Sequence, residues 1–150
     1  MNSRLLVKLY SVLPRTVTAR VVRLLKPTYN IGVVALVFDS EGRILVLRHT
    51  YHRPDWRLPG GLMERGESPE EVAVREVMEE AYCRIEAPIV LDAMHEAHTF
   101  DVAVLARLVD EFPFEPNAEI DERKWVRAED LPALPSSHLR FIRRAISMMQ

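Results

Sequence analysis

A chain of 150 residues with 48% hydrophobic and 28% charged side chains has the size and make-up of one globular domain and is too short for two full ones. Its formal net charge of −2, from 20 Lys and Arg against 22 Asp and Glu, excludes the basic excess of a general nucleic-acid binder, so no DNA partner is expected. The single cysteine, Cys83, leaves no internal disulfide and no Cys-rich zinc site and fits a reducing cytoplasm, and charges interrupt every apolar run before it reaches the roughly 18 residues of a membrane span.

The charge is unevenly spread. Arg4, Lys8, Arg15, Arg20, Arg23 and Lys26 precede any acid, and all 22 acidic residues lie beyond Phe38. Residues 1–29 read as a basic amphipathic helical arm: Leu5, Leu9, Val12 and Leu13 recur at helical spacing up to Pro14, and Val17, Val21, Leu24 and Leu25 repeat the pattern up to Pro27. Such an arm could pack on the domain, cover the partner in a homodimer, or make peripheral contact with an anionic membrane.

From residue 30 to 150 the pattern is that of a separate domain. Ile31 to Phe38 is rich in Val, and Arg43 to His49 follows across Ser40-Glu41-Gly42, which predicts a β-hairpin. Trp56 to Leu58 reads as a short strand running into Pro59-Gly60-Gly61, Thr99 to Leu108 as a long one and Lys124 to Val126 as another short one. Two helices are predicted, Pro69 to Ala81 and Ser137 to Met149, the second with a stripe of Leu139, Ile142, Ala145, Ile146 and Met149. The strands do not alternate regularly with helices, so the sheet is expected to be mixed or antiparallel. The stretch Pro113 to Pro116 reads as a loop.

The chemistry is concentrated between Gly60 and Cys83. Ser68-Pro69-Glu70-Glu71 is a capping box with proline at the first helical position. On the helix it opens, Val74, Val77, Met78 and Ala81 share one face and are expected in the core. Glu76, Glu79 and Glu80 converge on another. Like charges at this spacing weaken a helix by roughly 0.2–0.5 kcal/mol per pair, so three of them call for open solvent or a cation. The Gly60-Gly61 pair ahead of the helix lets backbone carbonyls approach a metal, Glu64 and Glu67 add acids in the loop, and Arg75 can fix a carboxylate through two bonds. Hard oxygen donors at this density suit Mg²⁺ or Mn²⁺.

This segment resembles the Nudix box: Gly61, five residues, Glu67, seven residues, Arg75-Glu76, Val77, Met78, Glu79-Glu80, Ala81, Tyr82 and Cys83. Every charged position of that pattern is matched, and Trp56-Arg57-Leu58-Pro59-Gly60-Gly61, Glu119-Ile120-Asp121-Glu122, Trp125-Val126 and Asp130-Leu131-Pro132 extend the likeness over Asn30 to Met149. One position departs. Tyr82 stands where the pattern has glycine, the usual residue for ending a helix in a left-handed conformation, so the helix is expected to end by another route, which could shift the aim of Glu79 and Glu80 without loss of metal binding. Cys83 is expected in the core.

The resemblance implies an α/β fold of the α+β type, an α/β/α sandwich around a mixed sheet. It also implies Mg²⁺-dependent hydrolysis of a nucleoside diphosphate linked to a further moiety, such as a nucleotide sugar or ADP-ribose. By position in the motif, Gly60, through its carbonyl, Glu76, Glu79 and Glu80 would be metal ligands, and Glu67, Arg75 and Gly61 would hold loop and helix together. The general base would be a box glutamate or one in a later loop, Glu119 ahead of Glu122. Arg48, His52 and Arg57 are candidates for binding the nucleotide substrate. His49 and Arg53 are placed where a cation would meet the terminal phosphate, and His95 and His98 could touch phosphate or base. Alternative activities are nucleoside triphosphate pyrophosphohydrolysis directed at oxidised or non-standard nucleotides, RNA 5′-end processing, and a binding module that has lost catalysis.

Overall fold

The computed structural model describes residues 29–96 and 99–149. The predicted N-terminal arm, and with it any homodimer or membrane contact through it, lies outside the described residues, as does His98. In chain order the elements are β1 (Asn30–Phe38), β2 (Ile44–His49), β3 (Trp56–Arg57), β4 (Gly60–Leu62), α1 (Pro69–Ala81), β5 (Cys83–Glu96), β6 (Thr99–Glu111), β7 (Ile120–Val126), a 3-10 turn (Ala128–Asp130) and α2 (Ser136–Met149). No helix among the described residues is long and apolar enough to cross a membrane.

The sheet is mixed and runs β3-β2-β1-β6-β5, with β4 added to β1 and β7 to β2. β1 lies parallel to β6 along its whole length, and β5 pairs antiparallel with β6 at the outer edge. β1 and β2 leave Asp39-Ser40-Glu41-Gly42 as a turn, fixed by the Asp39 carboxylate, which accepts from the Glu41 and Arg43 amides at 2.9 and 2.8 Å. Beyond this turn the two strands pair only at Phe38 and Ile44 and then separate. The freed edge of β1 takes β4, from Gly32–Leu62 to Val34–Gly60, and the freed edge of β2 takes β3. The sheet therefore forks, and the short Leu58-Pro59 link spans the fork, with the Pro59 carbonyl accepting from the Ala35 amide at 2.8 Å.

Alternation sends side chains of β1 and β2 to both faces. Val33, Ala35, Val37, Leu45 and Leu47 pack under α1 with Val72, Ala73, Val77 and Ala81. Val34, Leu36, Ile44 and Val46 pack under α2 with Phe141, Ile142 and Ala145. The architecture is thus the expected sandwich of helices on a mixed sheet.

Several expectations are corrected. On α1, Val74 and Met78 are 41% and 39% exposed, because the helix turns Val72 and Ala73 toward the sheet in their place. On α2 the stripe is centred on Phe141, and Met149 is exposed in the last turn. β4 and β5 had no counterpart in the sequence reading. β5 breaks its own alternation at three register shifts and carries Pro88.

Tyr82 is the clearest correction. It occupies the left-handed region itself, at φ 52° and ψ 42°, and its amide donates to the Met78 and Val77 carbonyls. A residue with a Cβ gives up about 1–2 kcal/mol there, and neighbouring contacts offset that loss. Its ring meets Phe114 edge-on at 6.0 Å, its carbonyl accepts from Phe112 at 2.9 Å, and Arg123 of β7 donates to the Ala81 carbonyl. The Arg123 guanidinium thereby covers a carbonyl at the C-terminal end of the helix, where a cation is favoured.

Candidate active site

The fork in the sheet, the start of β4 and the last turns of α1 meet at one place. Ser68 accepts from the Glu71 amide and Glu71 answers to the Ser68 amide, so the capping box read from the sequence sets the helix start. Ahead of it, Arg75 holds Glu67 through two bonds, Nε to Oε1 at 2.8 Å and Nη2 to Oε2 at 3.0 Å. The second Glu67 oxygen accepts from the Glu64 amide at 2.8 Å. Paired this way, the Glu67 carboxyl is held below the usual range by Arg75, and the guanidinium is stabilised in turn. The loop between β4 and α1 is clamped to the helix by charge-assisted bonds.

Arg75 also reaches Glu76 at 2.7 Å and, at 3.5 Å, Glu79. The Glu76 side chain is 12% exposed and that of Glu79 is 61% exposed. Glu76 lies against Gly61 so closely that a Cβ there would push its carboxylate aside, away from the Arg75 guanidinium that holds it. Glu80 is half-buried and accepts from the Gly60 amide at 2.9 Å. Burial, together with the carboxylates of Glu76, Glu119 and Glu79, raises the Glu80 carboxyl to about 7 against the Gly60 bond.

Glu119 arrives from across the fork. The Thr50 amide donates to its carbonyl at 2.9 Å, Thr50 Oγ1 donates to the Ala118 carbonyl at 2.7 Å, and Asn117 Oδ1 accepts from the Glu119 and Ile120 amides at 2.8 and 2.9 Å. The exposed Glu119 is thereby set beside Glu80, and burial, then these two carboxylates, raises the Tyr51 phenol.

This donor set fits a hard divalent cation. It consists of oxygens, and its repulsion is what a cation would offset. Among the described residues no three carboxylate, imidazole or thiol groups are already arranged around a common point, and at Gly60 the recorded contact is made by the amide.

The remaining candidates divide. Arg57, on the same face of the fork as His49, makes no ion pair among the described residues, and its charge lowers both His49 and His52. Arg48 points to the opposite face, where Asp121 and Glu122 take its guanidinium at 2.7 and 2.8 Å and it lies over Trp56. Glu122 is further paired with Lys124. Arg53 donates to the His52 carbonyl. His95 stands on the outer strand, edge-on to Tyr29. Cys83 is fully buried, as expected, and burial pushes its thiol up to about 11. Sequence reasoning missed Tyr51 and His138; the only signal was an aromatic and a histidine in otherwise polar or helical stretches.

A family model described as the NUDIX domain matches residues 28–145, and the chain belongs to that family. Among curated proteins it is 38% identical over 60 residues to a MutT-like protein of Streptomyces ambofaciens, covering 40% of this chain and 38% of that one. It is 42% identical over 52 residues to a putative 8-oxo-dGTP diphosphatase of Bacillus subtilis, covering 35% and 34%. The matched stretches therefore span well under half of these relatives. A crystal structure of an ADP-ribose pyrophosphatase from Streptococcus suis superposes with a TM-score of 0.66 at 26% identity, covering 81% of this chain and 91% of that one.

Proposed function

We propose that the protein is a divalent-cation-dependent pyrophosphohydrolase acting on a nucleoside diphosphate that carries a further group, such as a nucleotide sugar or ADP-ribose. The observation that carries this reading is the gathering of the Glu76, Glu79 and Glu119 carboxylates about Glu80 at the fork of the sheet, with Arg57, which makes no ion pair among the described residues, on the adjoining strand β3. Mg²⁺ or Mn²⁺, bound by Glu76, Glu79, Glu80 and the Gly60 carbonyl, would neutralise anionic phosphate oxygens and ready a water for attack on phosphorus. Glu119 takes the proton of the attacking water. Arg57 meets the phosphate charge, and the Glu67–Arg75 clamp keeps the loop and helix from parting as charge builds up.

The name of the Bacillus relative supports a second reading, cleavage of nucleoside triphosphates to a monophosphate and pyrophosphate. One screen separates the two. Nucleotide sugars and ADP-ribose release two monophosphates, whereas triphosphates release inorganic pyrophosphate, and anion-exchange chromatography distinguishes the products. Turnover of the first group with Mg²⁺ or Mn²⁺, lost on chelation, is the expected result. Turnover confined to triphosphates selects the second reading, and turnover of neither at millimolar metal defeats both.

A further inference from the structure

Where β2 ends, His49 is 6% exposed, and neither of its ring nitrogens has a hydrogen-bond partner among the described residues. They are the only such side-chain atoms among the described residues. Buried polar groups in folded proteins nearly always find a partner, because leaving one unpaired forfeits its solvation with no return. Packing does not require a histidine here, since an apolar ring would fill the same space without loss. The position therefore points to a ligand.

What surrounds His49 indicates which kind. His52 and Tyr51 cover it, both meeting its ring at steep angles with centroids 5.3 and 6.1 Å away. They lie against each other at 4.4 Å, and Tyr51 is 61% exposed, presenting its outer face to solvent. Burial, with His52 and Arg57 beside it, lowers His49 to about 4, so the ring is neutral at physiological pH, with one nitrogen donating and one accepting. A neutral donor-acceptor beneath exposed aromatic rings suits a planar heterocycle better than an anion. Aromatic faces stack on bases of any sequence, while a buried polar atom tells one base edge from another. The place is also right. His49 pairs with Ile120 across β2 and β7, and the Thr50 amide donates to the Glu119 carbonyl at 2.9 Å, so a moiety joined to phosphates at those carboxylates falls on this side of the fork.

We propose that His49, roofed by Tyr51 and His52, reads the heterocyclic base of the nucleotide whose phosphates lie at Glu80 and Glu119. This rests on the reading of that carboxylate cleft as the phosphate site, and it adds a residue that sets base preference. The Tyr51 and His52 rings part to admit the base; stacking on Tyr51 then gives affinity common to all bases, and the His49 nitrogen so uncovered supplies the discrimination.

The test is binding rather than turnover, so that it stands apart from the hydrolytic activity. Adenosine, guanosine, cytidine and uridine 5′-monophosphates and ribose 5-phosphate are titrated calorimetrically into wild type, His49→Phe, His49→Gln and Tyr51→Ala. Wild type should bind at least one nucleotide about 10-fold more tightly than ribose 5-phosphate, a ratio within reach of one buried hydrogen bond and a stacked ring. His49→Phe should level the differences among bases while leaving ribose 5-phosphate affinity unchanged, and its melting temperature should hold or rise, because two unpaired polar atoms are gone. His49→Gln should restore part of the preference. Tyr51→Ala, at an exposed position, should weaken all four nucleotides and spare ribose 5-phosphate; it carries the test if His49→Phe does not fold. Equal binding of nucleotides and ribose 5-phosphate by wild type, or an unchanged base preference in His49→Phe, overturns the proposal. Base-dependent binding without hydrolysis would leave it standing and remove the catalytic reading.

Discussion

Of the three box glutamates, each meets a different neighbour, although their spacing makes them look equivalent. Glu76 is pinned between Arg75 and Gly61, Glu79 stands in solvent, and Glu80 is drawn inward to the Gly60 amide. The residues that converge could be read from helical periodicity, but the differences among them could not, since they come from a strand whose pairing with β1 no local pattern announces. Glu119 illustrates the same point from the other side. It was picked out by resemblance alone, and what sets it next to Glu80 is a turn organised by Asn117 and Thr50. If these carboxylates hold the cation, Glu79→Gln and Glu80→Gln should each lower turnover by about 10²-fold or more, the scale of losing one preorganised charge at a reacting centre. Glu70→Gln, in the first turn of α1, is the control and should retain the rate. Steady-state kinetics at saturating Mg²⁺ decide the matter, and wild-type rates in the first two variants would displace the metal from this helix.

Helix α1 was legible almost to the residue, because Ser68, Pro69 and Glu71 form a start signal that acts through the backbone and needs no tertiary help. Its end was not. The expectation that Tyr82 would avoid the left-handed region weighed the steric loss and omitted what Phe114, Phe112 and Arg123 contribute, all from more than 29 residues later in the chain. The balance can be tested. Tyr82→Gly relieves about 1–2 kcal/mol of strain but loses the ring pair, worth about 0.5–1.5 kcal/mol, and frees the unfolded chain by about 0.4–1 kcal/mol. The net change should lie within about 1.5 kcal/mol of zero. Tyr82→Ala keeps the strain and loses the ring, so it should be the less stable of the two by thermal denaturation; equal stabilities would mean that strain at this position is negligible. Strand β5 escaped notice for a related reason. Its sequence alternates poorly because its register slips three times against β6, so the period that marks a strand is interrupted by its own geometry.

At the scale of the whole molecule, two buried histidines and the half-buried Glu80 set the response to acid. Burial lowers His49 to about 4 and His138, which accepts from the Leu58 amide at 3.1 Å, to about 3. Burial raises Glu80 to about 7. As pH falls from 6.5, the unfolded chain gains a proton at each histidine that the folded chain refuses, so both contributions to stability shrink. Glu80 works the other way: the folded chain takes its proton near 7 and the unfolded chain only near 4.5. The difference is about one proton in favour of unfolding, or up to about 1.4 kcal/mol lost per pH unit between roughly 6.5 and 4.5. Urea titrations in metal-free buffer should find a maximum close to neutrality, and His138→Gln, whose side-chain oxygen can still accept from Leu58, should flatten the acid limb. A stability that rises from pH 6.5 to 5 would contradict the neutral burial of these rings. The outer strand has a different bearing on the molecule in solution. β5 is 14 residues long and among the described residues has β6 on one side only, which makes it a template on which another copy could lay down a strand. Its slipped register, the left-handed Ala87 at φ 48° and Pro88, which has no amide to offer, break that template next to the exposed Ile89 and Val90. Those aliphatic side chains can therefore face water without seeding fibril growth, because the backbone beneath them is the wrong shape to be copied.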